Sequence, residues 1–323
     1  MAYSRKATNR NPRKRGNFNM EFEKLQVFGE KKLKGFRLNR ELSEYYSKTG
    51  NMRKSKAVKE CANFLQFKAY GDECESRKLY RANFCRHPLC LMCSWRLSIE
   101  RYRELEEALR IIKRESTDNR FYFLTLTVRN WKSINKSKIK QLQKHGVEFI
   151  RKILKTNSYY LSLEITVGKD KSYHPHLHAV VHTDCYLDTT ISWIAMYRKA
   201  WGRIVGEKKM DYQILTLYPI GNGIEGEKNL HEVTKYILKP EINISSEIVV
   251  KVSKSIENVK KGYSSGEIRK ALKSAKVSLY EQDRDDLQKL EEYDWRIEFY
   301  KWVNNKYLLE SICENGRKNS TCS

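Results

Sequence analysis

In the stretch Tyr173-His174-Pro175-His176-Leu177-His178-Ala179-Val180-Val181, two imidazoles stand two residues apart. Side chains alternate along an extended strand, so His176 and His178 point the same way, roughly 7 Å apart, while Leu177, Ala179 and Val181 point toward a core. Two converging imidazoles can hold a metal, although one such pair also suits a half-exposed strand. The flanking strands tip the balance. On residues 159–167, Leu161, Leu163, Ile165 and Val167 share one face, and Glu164 lies on the other with Ser162 and Thr166. On residues 121–128, Leu124, Leu126 and Val128 face the core while Thr125 and Thr127 face away. His176, His178 and Glu164 thus share one polar surface. Two imidazoles and a carboxylate bind a divalent ion and leave positions open for substrate oxygens. His174 and His182 are weaker candidates, expected behind the ligands or in solvent.

A second group sits on a predicted helix, where Glu232 and Tyr236 are four residues apart and share a face, flanked by Lys235 and Lys239. A phenol is a poor nucleophile until its charge is stabilised, and neighbouring lysines beside a polarised phosphate do that. Attack of Tyr236 on a phosphodiester would give a phosphotyrosine and a free hydroxyl. Glu232 is then placed to deprotonate a water or to position a second nucleophile. Taken alone, this helix would read as a wet face on which Glu232 pairs with Lys235 and Tyr236 packs.

Composition names the partner. The chain has 323 residues, with 63 Lys and Arg against 39 Asp and Glu, a formal charge of +24. Such a surplus attracts a polyanion, and the Tyr, Trp and Arg content suits bases and phosphates better than lipid. No apolar run is long enough to cross a membrane and no signal peptide opens the chain, so a cytoplasmic protein with reduced cysteines is expected. Four of those cysteines cluster: Cys74, Cys85, Cys90 and Cys93, the last two as C-x-x-C. Four thiolates at this spacing fit a structural tetrahedral zinc site, with Cys61 or His87 as alternatives to Cys74 for the fourth ligand.

Periodicity supplies the elements that must position these groups. Residues 1–52 form a basic, partly disordered arm; the first fifteen carry Arg5, Lys6, Arg10, Arg13, Lys14 and Arg15 without an acid. Residues 53–115 hold the cysteines and a helix with Leu97, Tyr102, Leu105, Leu109 and Ile112 as its apolar stripe. Residues 116–245 alternate as β-α-β-β-α-β-α, with a helix over 136–155, one capped by Asp188, a strand over 211–217 and a last helix capped by Asn229. This order predicts an α+β fold: an antiparallel sheet with helices packed on one side. Residues 246–323 are expected to be mainly helical, over 268–312 in particular.

These residues resemble a known family. Phe123-Leu124-Thr125-Leu126-Thr127-Val128, Leu163-Glu164-Ile165-Thr166, His174-Pro175-His176-Leu177-His178 and Glu232-Val233-Thr234-Lys235-Tyr236-Ile237-Leu238-Lys239 occur in the order seen in rolling-circle replication initiators of small Gram-positive plasmids, members of the HUH endonuclease superfamily. The segment from Cys85 to Arg96 resembles the one ahead of that family's first motif. The resemblance covers residues 74–240 and implies an HUH-type sheet, His176 and His178 as metal ligands with Glu164 the third, Tyr236 as nicking nucleophile and Glu232 as the group activating water at termination. It further implies Mg2+ or Mn2+ at the catalytic site, plasmid origin DNA that is single-stranded at the nick, and a host helicase and DNA polymerase as partners. A homodimer is kept as a candidate assembly.

Other readings are a transposase or relaxase using the same site on other DNA, an iron oxygenase with two histidines and a carboxylate, and a non-catalytic zinc-containing DNA-binding regulator. A relaxase places its tyrosine before the histidines, the reverse of this chain. An oxygenase has no use for the charge or the Glu-Tyr helix, and a regulator has none for the histidines.

Overall fold

The computed structural model describes residues 25–70, 76–115, 118–207, 215–220, 224–234, 245–291 and 294–314. In chain order the elements are helices α1 (Leu25–Lys48) and α2 (Met52–Lys59), strands β1 (Phe64–Tyr70) and β2 (Ser76–Ala82), helix α3 (Leu91–Glu115), strand β3 (Arg120–Thr127), helix α4 (Lys136–Lys152), and strands β4 (Ser158–Val167) and β5 (Tyr173–Thr183). Helix α5 (Ile191–Val205), strand β6 (Leu215–Pro219), helices α6 (Ile224–Thr234) and α7 (Ser246–Ile256), strand β7 (Gly262–Ser265), helix α8 (Gly266–Glu291) and strands β8 (Trp295–Val303) and β9 (Lys306–Glu314) follow. The expected arm is therefore helical from Leu25, and residues 1–24 lie outside the described residues. No described helix is long and apolar enough to cross a membrane.

The chain divides into two compact units, the larger made of residues 31–62 and 83–289 and the smaller of residues 1–30, 63–82 and 290–323. In the larger unit a five-stranded antiparallel sheet runs β6-β3-β5-β4-β7. Tyr122, Leu124 and Leu126 of β3, with Leu161, Leu163, Leu177 and Ala179, are buried against Ile139, Phe149 and Ile150 of α4, Trp201 of α5 and Val249 and Val252 of α7. Close approach is part of the design here: a Cβ on Gly146 would lie 2.5 Å from Leu177 Cδ1, so α4 needs a bare backbone where it crosses β5. The Trp201 indole donates 2.7 Å to the Thr127 carbonyl and ties α5 to the far end of β3.

Helices cover both faces of this sheet, not one. At the start of β3 the polar face is apolar: Phe121, Phe123, Tyr160 and Val180 form a second core with Tyr102, Leu105 and Leu109 of α3, Leu230 and Val233 of α6 and Ile268 of α8. The threonine–histidine half of the same face lies beyond that core. One face thus changes character along its strands, a feature hidden when the even positions alone are followed.

Capping also differs from expectation. Asp188 accepts from Thr190 N at 2.8 Å, one residue ahead of the helix it was expected to cap, and Thr190 is the N-cap of α5. Helix α6 starts five residues before Asn229, which is buried in mid-helix and accepts from the Tyr218 hydroxyl at 3.0 Å.

The smaller unit is a four-stranded sheet ordered β2-β1-β8-β9, all antiparallel. The C-terminal region is helical through α7 and α8, but the helix expected to continue to residue 312 stops, and a hairpin takes its place. Val303 pairs with Lys306 across Asn304 and Asn305, whose φ values of 48° and 63° are those of a two-residue hairpin turn. Ile297, Phe299 and Lys301 alternate with Glu298, Tyr300 and Trp302, which is a period of two. Leu65, Phe67 and Ala69 line the buried face, where Phe67 meets Phe28 edge-on at 5.7 Å. Glu298 is buried there among donors: Arg77 Nε at 3.0 Å, Arg296 at 3.2 Å and the Tyr300 hydroxyl at 2.9 Å. Burial alone would raise its pKa, yet these donors outweigh it and hold the carboxyl below its ordinary value.

Candidate active site and thiolate cluster

Cross-strand pairing builds the first site. Glu164 of β4 lies opposite His176 of β5, and Ser162 opposite His178; on the other side Thr125 and Thr127 of β3 oppose His178 and His176. Facing residues of an antiparallel pair project to the same side, so the polar surface expected from alternation is formed. His178 Nε2 and Glu164 Oε2 are 2.9 Å apart, and both residues are buried. Thr125 Oγ1 lies 3.2 Å from His178 Nδ1, and Thr127 Oγ1 3.5 Å from His176 Nδ1. With its Nδ1 edge held by a hydroxyl, the His178 ring is turned so that Nε2 meets the carboxylate. These threonines were placed on the face by parity, but their contact with the rings could be read only from the strand register.

Helix α6 brings a third group. Leu230 and Val233 anchor it in the second core, and His231 stacks on Tyr102 with ring centroids 4.1 Å apart. Glu232, half-buried between these anchors, comes to the sheet: one ligand atom each from Glu164, His178 and Glu232 lie within 4.8 Å of one another. Two carboxylates this close repel unless a cation or a proton lies between them, and imidazole with carboxylate oxygens suits a divalent ion. His176 lies outside that trio. It is half-exposed, with its ring stacked beside that of His178 at 6.2 Å between centroids. Tyr236, Lys235 and Lys239 fall outside the described residues, as does Cys74.

The weaker histidines are accounted for separately. His174 Nε2 is 2.9 Å from Ser172 Oγ at the β4–β5 turn. His182, expected near the ligands or in solvent, is instead buried at the opposite end of β5, with Nδ1 3.1 Å from Ser158 Oγ and Nε2 2.9 Å from Asn119 Oδ1. Desolvation there lowers its pKa.

A second cluster joins Cys61, Cys85, Cys90 and Cys93. Sulfur–sulfur distances are 3.6 Å for Cys61–Cys93, Cys85–Cys93 and Cys61–Cys90. The centre of a regular tetrahedron with such edges is about 2.2 Å from each corner, close to the zinc–thiolate length of about 2.3 Å. Backbone N–H groups point at the sulfurs: Cys85 N to Cys61 at 3.4 Å, Arg86 N to Cys93 at 3.2 Å and His87 N to Cys85 at 3.4 Å. Arg86 takes a left-handed φ of 58°, which folds the turn back to aim those amides. Asn39 adds a donor to Cys90 at 3.4 Å. Hydrogen bonds with Cys61, Cys85 and Cys93 draw the Cys90 pKa down, while those with Cys61, Cys90 and Cys93 push Cys85 up. The fourth sulfur is thus that of Cys61, one of the alternatives to Cys74, brought in where Ala62 N bonds the Asn83 carbonyl at 3.0 Å. The His87 ring is not among the ligand groups of the cluster. Its Nε2 lies 3.0 Å from the Tyr46 hydroxyl, its Nδ1 accepts from Leu89 N, and burial lowers its pKa to about 4.

A family model described as a replication protein matches residues 76–307 of the chain. A protein named "Protein rep" from Lentilactobacillus hilgardii is 30% identical over 210 residues, covering 60% of this chain and 64% of that one. Its namesake from Streptococcus pneumoniae serotype 2 is 31% identical over 193 residues, 57% of this chain and 59% of the relative. One from Staphylococcus aureus is 28% identical over 214 residues, 62% of this chain and 86% of the relative. The match spans roughly three fifths of the length of the first two relatives. No solved structure matches the chain.

Proposed function

Because this chain belongs to the replication protein family, we propose that it initiates plasmid replication by cutting one strand of origin DNA, with Tyr236 as the nucleophile. The observation that carries the reading is the convergence of His178, Glu164 and Glu232 within 4.8 Å, with Glu232 four residues ahead of Tyr236 in sequence. A Mg2+ or Mn2+ ion held by Glu164, His178 and His176 would draw charge from a phosphate oxygen of the strand being cut. Thr125 and Thr127 sit at the Nδ1 edges of the two rings, which leaves Nε2 of each as the atom that would hold the ion.

The chain's own groups carry the bonds. Tyr236 Oη gives up its proton and attacks phosphorus, the bond to the 3′ oxygen breaks, and that oxygen leaves with a proton as a 3′-hydroxyl. The 5′ phosphate stays on Tyr236 as an ester, so the strand can be rejoined when a 3′-hydroxyl attacks it in turn. Lys239 and Lys235 offset the charge of the phenolate and the phosphate. At termination Glu232 takes the proton of the water or hydroxyl that attacks. The same carboxylate could instead complete the ion's ligands; Glu232→Gln, which keeps an oxygen donor but no base, separates the two by whether metal binding or only termination fails. The free 3′-hydroxyl serves a host polymerase as primer, and a host helicase and a homodimer belong to the same reading.

The sulfur spacing supports zinc as the ion of Cys61, Cys85, Cys90 and Cys93, in a structural role. For the nickase, the test is incubation of the protein with a single-stranded origin oligonucleotide and Mn2+, followed by mass spectrometry of the adduct. A phosphotyrosine at residue 236, lost in Tyr236→Phe, is expected. An adduct that persists in Tyr236→Phe refutes the nucleophile, and cleavage without any adduct refutes the mechanism.

A further inference from the structure

The smaller unit keeps one face of its sheet out of its own core. Along β1, Leu65, Phe67 and Ala69 are buried, whereas Phe64, Gln66 and Lys68 are half-exposed. Along β8, Glu298 and Tyr300 are buried, Trp295, Ile297 and Phe299 half-exposed and Lys301 exposed. Register sets Phe64 opposite Lys301, Gln66 opposite Phe299 and Lys68 opposite Ile297, while β2 places Lys78 opposite Lys68 and Arg81 opposite Gln66. Facing residues share a side, so this surface interleaves aromatic and cationic groups. Tyr80 joins it from the bulge of β2 at 59% exposure, and Lys68 Nζ lies 4.2 Å from the Trp295 ring centroid and 5.9 Å from that of Tyr80. A groove of about 430 Å³ opens among Phe64, Gln66, Arg81, Phe299 and Lys301, with Glu310 at its edge in an ion pair with Lys301 of 3.2 Å.

Flat aromatic rings on an open sheet can stack only on bases whose own faces are free, and cations set between them meet a backbone of phosphates. A duplex hides its base faces and is read through grooves by protruding elements. The four cations of the face, Lys68, Lys78, Arg81 and Lys301, favour a polyanion. We propose that this face of the smaller unit binds unpaired DNA, stacking bases on Tyr80, Trp295 and Phe299 and holding phosphates with Lys68, Lys78, Arg81 and Lys301. It rests on the reading of the chain as DNA-directed, and it gives the C-terminal hairpin, which supplies three of those seven residues, a role in holding the strand rather than in cutting it.

The test uses the full chain and two fluorescein-labelled probes, an oligothymidylate of about 20 nucleotides and a duplex of equal length, read by anisotropy at several salt concentrations. Tyr80→Ala and Phe299→Ala should each weaken oligothymidylate binding about tenfold, the cost of removing one stacking platform, with duplex binding changed less than about twofold. Phe299→Tyr should restore the affinity, and Arg81→Gln should reduce the salt slope by about 0.7. Tyr80 is exposed, so its variant remains informative even if Phe299→Ala melts early. Alanine variants that bind oligothymidylate as the wild type does would overturn the proposal, as would parallel losses on both probes. The nicking reading is judged separately, by adduct formation of the wild type on saturating oligonucleotide. A wild type that forms no adduct while Phe299→Ala loses oligothymidylate affinity would sink the nickase and leave this surface standing.

Discussion

Replacing Cys61 by Ser tests the most distant contribution to the thiolate cluster, because 24 residues separate it from Cys85, the next cysteine of the group. Three sulfur pairs at 3.6 Å set a centre that fits zinc, and Cys61 shares two of those edges, with Cys93 and Cys90. Structural zinc is worth about 10–16 kcal/mol of folding free energy, so each of four thiolates carries about 2.5–4 kcal/mol, or a change in zinc affinity of about sixty- to seven-hundredfold. The lost energy falls on the start of α3, which begins at Leu91 between two of the cysteines, and on the bond from Lys32 Nζ to the Cys61 carbonyl. Cys61→Ser should therefore hold far less zinc than the wild type's expected one ion per chain, measured by plasma mass spectrometry on protein purified under reducing conditions. Its melting temperature should drop by about 5–16 °C. Cys74→Ser should keep its zinc, and so should Cys185→Ser, whose thiol is exposed. A Cys61→Ser protein with full zinc and an unchanged melting temperature would refute the reasoning, and so would a wild type without zinc.

Thr125→Val keeps the shape of β3 but removes the hydroxyl 3.2 Å from His178 Nδ1, and should lower Mn2+ affinity by about ten- to a hundredfold with the fold intact, read by titration calorimetry. His182 has a folded pKa below its ordinary 6.5 because burial disfavours the imidazolium. Its neutral form is the one that folds, so stability is whole above pH 6.5 and falls as pH drops through the window below it. Denaturant unfolding of His182→Gln should show a shallower fall in that window; an equally steep one would assign the loss to other groups. Gly146→Ala should destabilise by about 1 kcal/mol, the low end for overpacking, because the atom it meets is a rotatable methyl of Leu177. A variant as stable as the wild type would show that α4 can slide on β5.

What this sequence determined by itself is what depends on neighbours along the chain. Side chains alternate along a strand whatever its partners, so the shared face of Glu164, Thr125, Thr127, His176 and His178 was legible before any pairing was known. Helices α3 and α4 were legible for the same reason, through apolar residues at helical spacing. The hairpin of β8 and β9 is written in a period of two and an Asn304-Asn305 turn, but a charged and aromatic composition suits a helix as well, so local pattern alone does not separate the two. Tertiary structure alone decided which residues far apart in sequence meet. It put Cys61 beside Cys93, carried Glu232 to Glu164 by burying Leu230 and Val233, and paired β1 with β8 across most of the chain. Those contacts are set by how whole elements bury their apolar faces against one another, a sum over many residues that no local spacing records.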